Sequence, residues 1–328
     1  MKKRAFGTTG FDTSDVGLGC WQLGGFCWGD VDEPKAFDIL STAVTNGVNF
    51  FDTADVYGEG RSEILIGAFL KQCSEEVYVA TKIGRFPRPG WPENFSRAAM
   101  KQHIEECIER LGVDLLDLVQ LHCIPTEVMA SGEVFEHLRE FKAEGLIKDF
   151  GASVESMDEA LMCMAQDGLA SLQIIFNIFR RKPITALFDA AKEKGTAIIA
   201  RVPLASGLLS GKLSLDTQFP DNDHRKFNKD GELFNVGETF AGLPFEKGVA
   251  VSDKIRELVP EGMSMAQMSL RWILDHDAVS VVIPGASRSE QVVSNCEVSD
   301  IEPLSAGLHK QLEDLYNAEV HDFIRGPY

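Results

Sequence analysis

The sequence predicts an α/β fold: a (β/α)₈ TIM barrel with a short N-terminal hairpin, a long loop after the seventh strand and a C-terminal helix and tail. The alternation of elements is the first observation. Residues 16–19, 48–52, 77–82, 116–122, 147–151, 172–176, 197–201 and 279–284 read as strands, and amphipathic stretches separate them. The strand runs are apolar on consecutive residues, as parallel strands covered on both faces should be. Eight such units with right-handed crossovers close more naturally into a barrel than into an open sheet. Length is the second observation: 328 residues suit one barrel of about 250 residues with additions.

Taken in order, residues 3–11 precede the first strand and read as a hairpin plugging the barrel floor. Met100, Ile104, Cys107, Ile108 and Leu111 share one face at helical spacing, as do Val134, Leu138 and Phe141. Ser156 with Glu159 has the spacing of a capping box and marks a helix start. The polar segment 213–247 lies between the seventh strand and its helix; a loop of that length in a compact domain reads as a lid or as a mobile insertion. From Leu304 the chain resumes a helix through Leu308, Leu312 and Leu315, and residues 322–328 read as a frayed end. No linker or low-complexity tract divides the chain, so residues 1–328 read as a single domain.

Composition narrows the function. A net charge of −18 disfavours nucleic acid, which selects basic faces, and makes any phosphate site a matter of local amides and a few cations. No run approaches the roughly 18 apolar residues of a membrane span. The 7 cysteines show no CxxC pair, so neither a metal nor a disulfide framework is expected, and a reducing cytoplasm fits best.

Several strands end on residues that do chemistry, and barrel active sites sit at the carboxyl ends of strands. Asp52 closes the second strand with Tyr57 soon after, Lys82 closes the third and His122 the fourth. A nearby ammonium lowers a phenol's pKa from about 10, and a carboxylate keeps the ammonium charged. The trio thus tunes Tyr57 as a general acid or base, with His122 donating to the same substrate oxygen.

Asp52-Thr53-Ala54-Asp55-Val56-Tyr57-Gly58, followed by Ser62-Glu63 and Gly67, resembles the signature of the aldo-keto reductase family. Lys82 in Ala80-Thr81-Lys82, His122 in Leu121-His122, Gly17-Leu18-Gly19 and Ile283-Pro284-Gly285-Ala286 extend the likeness over nearly the whole chain. The resemblance implies hydride transfer from a nicotinamide to a carbonyl carbon, with Tyr57 protonating the oxygen. It also implies cofactor contacts. Ser153 and Gln173 match positions that meet the nicotinamide amide. Val154 stands where Asn is common, which leaves one contact missing or rebuilt from Asn177. Arg201 matches the position that stacks under the nicotinamide. The segment from Pro203 and Leu204 through Gly207 to Lys212 is similar to the one that wraps the pyrophosphate, and 213–247 would cover it with Phe219, Phe227, Phe234 and Phe240 as anchors. Gly285 lies at the eighth strand end. Ser287 and Glu290 have capping-box spacing at the start of the next helix, where many barrels bind phosphate. Arg288 there suggests NADP (NADPH) over NAD because a 2′-phosphate needs a cation, and Gln291 and Asn295 would meet the adenosine.

Trp21, Trp28 and Phe86 follow strand ends and are expected to wall a pocket for an uncharged aldehyde, ketone or sugar. The expected activity is NADPH-dependent carbonyl reduction. The alternatives are an NAD(P)-linked aldose or alcohol dehydrogenase and a cofactor-binding regulatory subunit with little turnover. The expected partner is a small-molecule carbonyl or alcohol, with no nucleic acid and no membrane.

Overall fold

The computed structural model describes residues 1–25 and 31–328. Trp28 lies outside the described residues. The predicted strands form a parallel eight-stranded sheet in sequential order: Leu18–Gly19 (β3), Phe50–Asp52 (β4), Tyr78–Ile83 (β5), Leu116–His122 (β6), Ile147–Ser153 (β7), Leu169–Ile175 (β8), Ala197–Arg201 (β9) and Val279–Val282 (β10). Parallel bridges Val16–Val282 and Gly19–Gly285 join the first strand to the last and close the barrel. The antiparallel hairpin Lys3–Ala5 (β1) and Asp12–Ser14 (β2) runs three residues past its predicted end. It sends Phe6 into the barrel floor, with its ring 5.4 Å from that of Phe50.

Burial on both faces does not make the strands uniformly apolar. Inside the barrel, Phe50, Ala80, Leu118, Ile199 and Val281 form a lower apolar layer with Phe6. Two residues further along, β4, β5 and β6 place Asp52, Lys82 and Gln120 inward, all buried. Register aligns this upper layer: Asp52 faces Gly19 and Ala80, Lys82 faces Gln120, and His122, Ser153 and Gln173 follow across β6, β7 and β8. The apolar floor carries packing, and the polar layer above it carries the site.

Outside, helices pack as their stripes predict. Met100, Ile104, Cys107 and Leu111 are buried on Arg97–Leu111, and Val134, Leu138 and Phe141 on Glu133–Ala143. Ser156 and Glu159 form the full capping box of Met157–Met164. Segment 213–247 is folded rather than loose. It holds the short helix His224–Phe227 and the turns Val236–Glu238 and Phe240–Gly242, and its end already belongs to the helix Phe245–Arg256. Asn228, fully buried, organises it by accepting from the backbone of Leu233 and Phe234 at 2.9 Å and donating to Thr239.

The tail also departs from expectation. Arg325 donates to the carbonyls of Gly242, Leu243 and Lys229, and buried Arg180 donates to Ala241, Arg325 and Pro327. Charged donors on backbone carbonyls tie the tail to the 213–247 segment, so the end is docked and not frayed.

Candidate active site

Lys82 organises the site. Its Nζ donates to Asp52 Oδ2 at 2.7 Å and to the Thr53 carbonyl at 2.7 Å, and lies 3.3 Å from Tyr57 Oη. The other carboxylate oxygen, Asp52 Oδ1, accepts from Gln173 Nε2 at 2.6 Å and from Gln120 Nε2 at 3.4 Å. The His122 ring meets Tyr57 edge-on at 5.9 Å between centroids. Local structure fixes the tyrosine: Thr53 Oγ1 bonds Ser62 Oγ, which donates to the Cys20 carbonyl. Gly58, at φ 63°, packs so tightly on Gly24 that a Cβ would lie 2.3 Å from its carbonyl oxygen. Glu63 holds Thr81 on one side and Arg110 on the other, at 2.6 Å, behind the strand that presents Lys82.

The electrostatics revise one sequence argument. Burial dominates Tyr57 and pushes its pKa up to about 12, although Lys82 pulls against it. The phenol is therefore a firmly protonated acid at neutral pH, and the ammonium limits its rise without reversing it. For Lys82 burial works against the charge, but Asp52 and Tyr57 outweigh it and raise its pKa. Burial, then the charges of Lys82, Arg85 and Arg201, hold His122 well below the usual imidazole range. His122 is therefore a neutral imidazole at neutral pH.

A cavity of about 560 Å³ opens over these groups. Asp52, Tyr57 and His122 line it beside Trp21, Ser153, Gln173, Arg201, Pro203, Leu204, Gly207, Lys212, Gly285, Ser287 and Gln291. Other predicted residues stand apart. Phe86 is buried with its ring against His103, facing away from the cavity, because the chain after β5 turns its neighbour Arg85 inward. Asn295 is buried in the helix Ser289–Cys296 and is absent from the cavity wall. Arg288 is exposed at that helix's N-cap. The capping box read there does not form: the helix starts at Ser289, and the Ser287 N–H and hydroxyl both meet Gln291 Oε1. Asn177 rebuilds no amide contact, since its side chain is spent on Val202 O and Phe179 N. Arg201 is paired with Glu238 and donates to Val154 O at 2.9 Å, so the backbone carbonyl at the valine that stands in place of Asn anchors the arginine.

Sequence reasoning passed over Gln22, Arg85, Gln120 and Glu238, and named Phe234 as an anchor of the 213–247 segment, from which it reaches the cavity wall. Gln120 lies two residues before His122, a period-2 signal that was there to read. Glu238 sits far along the long loop and gave none.

The cavity fits a dinucleotide. Gln22 Oε1, His122 Nδ1 and Arg201 Nε are buried on its lining residues without a hydrogen-bond partner. Val202, Ala205 and Ser206 hold left-handed φ of 52°, 48° and 55°, next to Gly207. Left-handed non-glycine backbone, a β-branched valine above all, is costly and concentrates at ligand-holding sites. Ser153, Gln173, Arg201 and segment 203–212 would hold a nicotinamide cofactor, with the Ser287–Gln291 turn at the far end.

Comparison with known proteins agrees. The aldo/keto reductase family model matches residues 15–317. The uncharacterized oxidoreductase YqkF of Bacillus subtilis is 31% identical, over 97% of this chain and 99% of its own. The NADH-specific methylglyoxal reductase of Escherichia coli is 27% identical, over 92% and 94%. Among solved structures, the holo form of aldo-keto reductase AKR11C1 from Bacillus halodurans aligns at TM-score 0.78 and 28% identity over 96% of both chains. A Klebsiella pneumoniae aldo-keto reductase in complex with NADPH aligns at 0.73 and 23% identity over 96% and 95%, a likeness of fold alone. The chain, an NAD(P)-dependent oxidoreductase, belongs to the aldo/keto reductase family.

Proposed function

We propose that the protein is an NADPH-dependent reductase of aldehydes or ketones in which Tyr57 is the general acid. The observation that carries this reading is Lys82 Nζ held between Asp52 Oδ2 and Tyr57 Oη. When bound, the cofactor would supply hydride to the carbonyl carbon. Tyr57, protonated at neutral pH, gives its proton to the carbonyl oxygen, and Lys82 stabilises the phenolate left behind. Neutral His122 donates to the same oxygen and stabilises its developing charge. Gln173 and Gln120 hold the Asp52 carboxylate, so they position Lys82 through it. A non-catalytic subunit would have no use for this assembled set.

Arg288 at an exposed helix N-cap supports the phosphorylated cofactor. The NADH-specific Escherichia coli relative keeps NAD in view as the second reading. Segment 213–247 acts in this reading as a cofactor lid: Phe234 and Glu238 come from it to the cavity wall. Cytoplasmic location is part of the proposal; no helix among the described residues is long and apolar enough to cross a membrane.

A screen of NADPH consumption across aldehydes, ketones and aldoses, with Tyr57→Phe as control, tests the reading. Turnover abolished by the substitution is expected, and equal turnover by both proteins overturns it. Hydrogen exchange with and without NADP⁺ tests the lid, which should gain protection over residues 224–243.

A further inference from the structure

Resting on the reductase reading above, we propose that Arg85 selects carbonyl substrates bearing an anionic group, a carboxylate or a phosphate. Of the other cations lining the cavity, Lys212 is exposed to water on the segment assigned to the cofactor and the rest are paired. Lys82 is paired with Asp52, Arg201 with Glu238, and Arg225 with Asp223. Arg85 lines the same cavity and is half-buried, and among the described residues it makes no ion pair and no side-chain hydrogen bond. Glu155 and Glu238 lie in its neighbourhood, but neither forms a bridge to it. Glu238 is committed to Arg201, and Glu155 feels Arg85 only at a distance.

An unpaired guanidinium partly withdrawn from water is costly unless something completes it. Here the surrounding structure holds it in that position. Buried Asn94 donates from Nδ2 to the carbonyls of Gly84 (3.2 Å) and Phe86 (2.7 Å), the residues on either side of Arg85. Trp91 Nε1 donates to Gly84 O at 2.5 Å, and Gly84 takes a φ of 110° that disfavours any other residue. The loop is thus stapled from behind while its one inward cation stays open. Arg85 follows the end of β5, the strand that presents Lys82, so it enters the cavity from the side of Tyr57 and His122, whereas the cofactor residues come from β7 to β10. Trp21, Tyr57 and Phe234 provide apolar walls nearby. A substrate that fits has an apolar or aromatic body, a carbonyl at Tyr57 and an oxyanion at Arg85. A planar fork that matches a carboxylate or phosphate is what guanidinium supplies. In a protein of net charge −18 an anionic substrate gains little from the overall field, so a local cation is the means of drawing it in.

The test compares 4-methylbenzaldehyde, 4-carboxybenzaldehyde and 4-formylphenyl phosphate as substrates of the full-length enzyme with NADPH. The wild type should favour one or both anionic aldehydes in KM, and the preferred one distinguishes carboxylate from phosphate. In Arg85→Gln the ratio of kcat/KM for the preferred anion to that for the neutral aldehyde should fall about 10–100-fold, the range expected for a lost charged hydrogen bond. Arg85→Lys should restore part of it. Benzoate and phenyl phosphate titrated against the tryptophan fluorescence of the NADP⁺ complex give a reading independent of turnover, and Arg85→Gln should weaken whichever binds. Equal ratios in wild type and Arg85→Gln, with unchanged anion binding, overturn the proposal and leave the reductase reading intact. Absence of NADPH oxidation with every aldehyde removes the reductase reading instead, and the anion titration then judges Arg85 as a binding site.

Discussion

The two halves of the barrel rim are built by different means. From β3 to β6 the site is made of side chains already in contact: Asp52, Lys82 and Tyr57 are joined by bonds of 2.7 and 3.3 Å, and Asp52 is braced from β6 and β8. From β9 onward it is made mostly of backbone, with left-handed residues at 202, 205 and 206 and a turn at Ser287 closed by Gln291. The first half is poised for chemistry before anything binds. The second is shaped for a ligand and keeps polar atoms such as Arg201 Nε unpaired. Proton transfer needs groups fixed to within a few tenths of an ångström, whereas gripping a long cofactor needs close approach of the main chain.

The sharpest way to break that division is Tyr57→Phe. It should lower kcat for a ketone by about 10²–10⁴-fold while the Kd for NADPH stays nearly constant. A comparable loss of cofactor affinity would mean that the halves are not separable. The pH profile sharpens the same point. Reduction needs the protonated phenol, so its rate should stay level from neutral pH and decline only as pH rises through about 12. Oxidation of an alcohol needs the phenolate and should accelerate with pH across the alkaline range. With His122 held neutral, no inflection is expected near pH 6.5. An inflection there, abolished in His122→Asn, would reassign the titrating group.

Gln173 straddles the boundary, lining the cavity while donating to Asp52. Gln173→Leu strips a buried carboxylate of its shortest donor, a loss of about 1–3 kcal/mol, or roughly fivefold to 150-fold. The effect should appear in kcat as well as in cofactor affinity. A pure Kd effect would place Gln173 with the second half alone.

Arg288→Ala tests the far end of the second half. NADPH binding should weaken by about 1.5–3 kcal/mol, with NADH much less affected. Equal losses for both cofactors would remove Arg288 from the 2′-phosphate.

The same division explains what could be read from the chain. Asp52, Tyr57, Lys82 and His122 carry their chemistry in their side chains and sit at strand ends, so alternation and residue type located them together. The β8 register was legible only to within three residues, since its apolar run begins at Leu169 rather than Leu172. Backbone-built features left weaker traces. Nothing local in Val202 or Ser206 announces a left-handed conformation, and the capping box read at Ser287 failed because helix start and turn differ by a single residue. Long-range partners were illegible: Glu238 reaches Arg201, and Arg325 reaches Gly242, across stretches with no periodic signal.

The smallest expected effect concerns the cost of the preassembled half. Asp55, two residues before Tyr57, is fully buried, and neither of its carboxylate oxygens has a hydrogen-bond partner. Burial and then the charge of Glu63 raise its pKa well above the carboxylate range, with Arg110, the nearby Val56 backbone N–H (outside ordinary hydrogen-bond geometry) and Lys82 only partly opposing. A carboxyl whose folded pKa is raised favours the fold while both states are protonated, below the unfolded value of about 4. That contribution is lost as pH climbs through the folded pKa, because the unfolded chain ionises freely and the folded one does not. Asp55→Asn keeps the shape and removes the charge. It should therefore stabilise the protein by about 1–3 kcal/mol at pH 8, a Tm gain of a few degrees, and give little or no gain at pH 4. Thermal unfolding of wild type and variant between pH 4 and 8 decides it. A gain that persists undiminished at pH 4 would point to packing instead of ionisation, and no gain at pH 8 would mean that the buried carboxyl has found a partner when folded. Either result would free the catalytic half from the cost assigned to it.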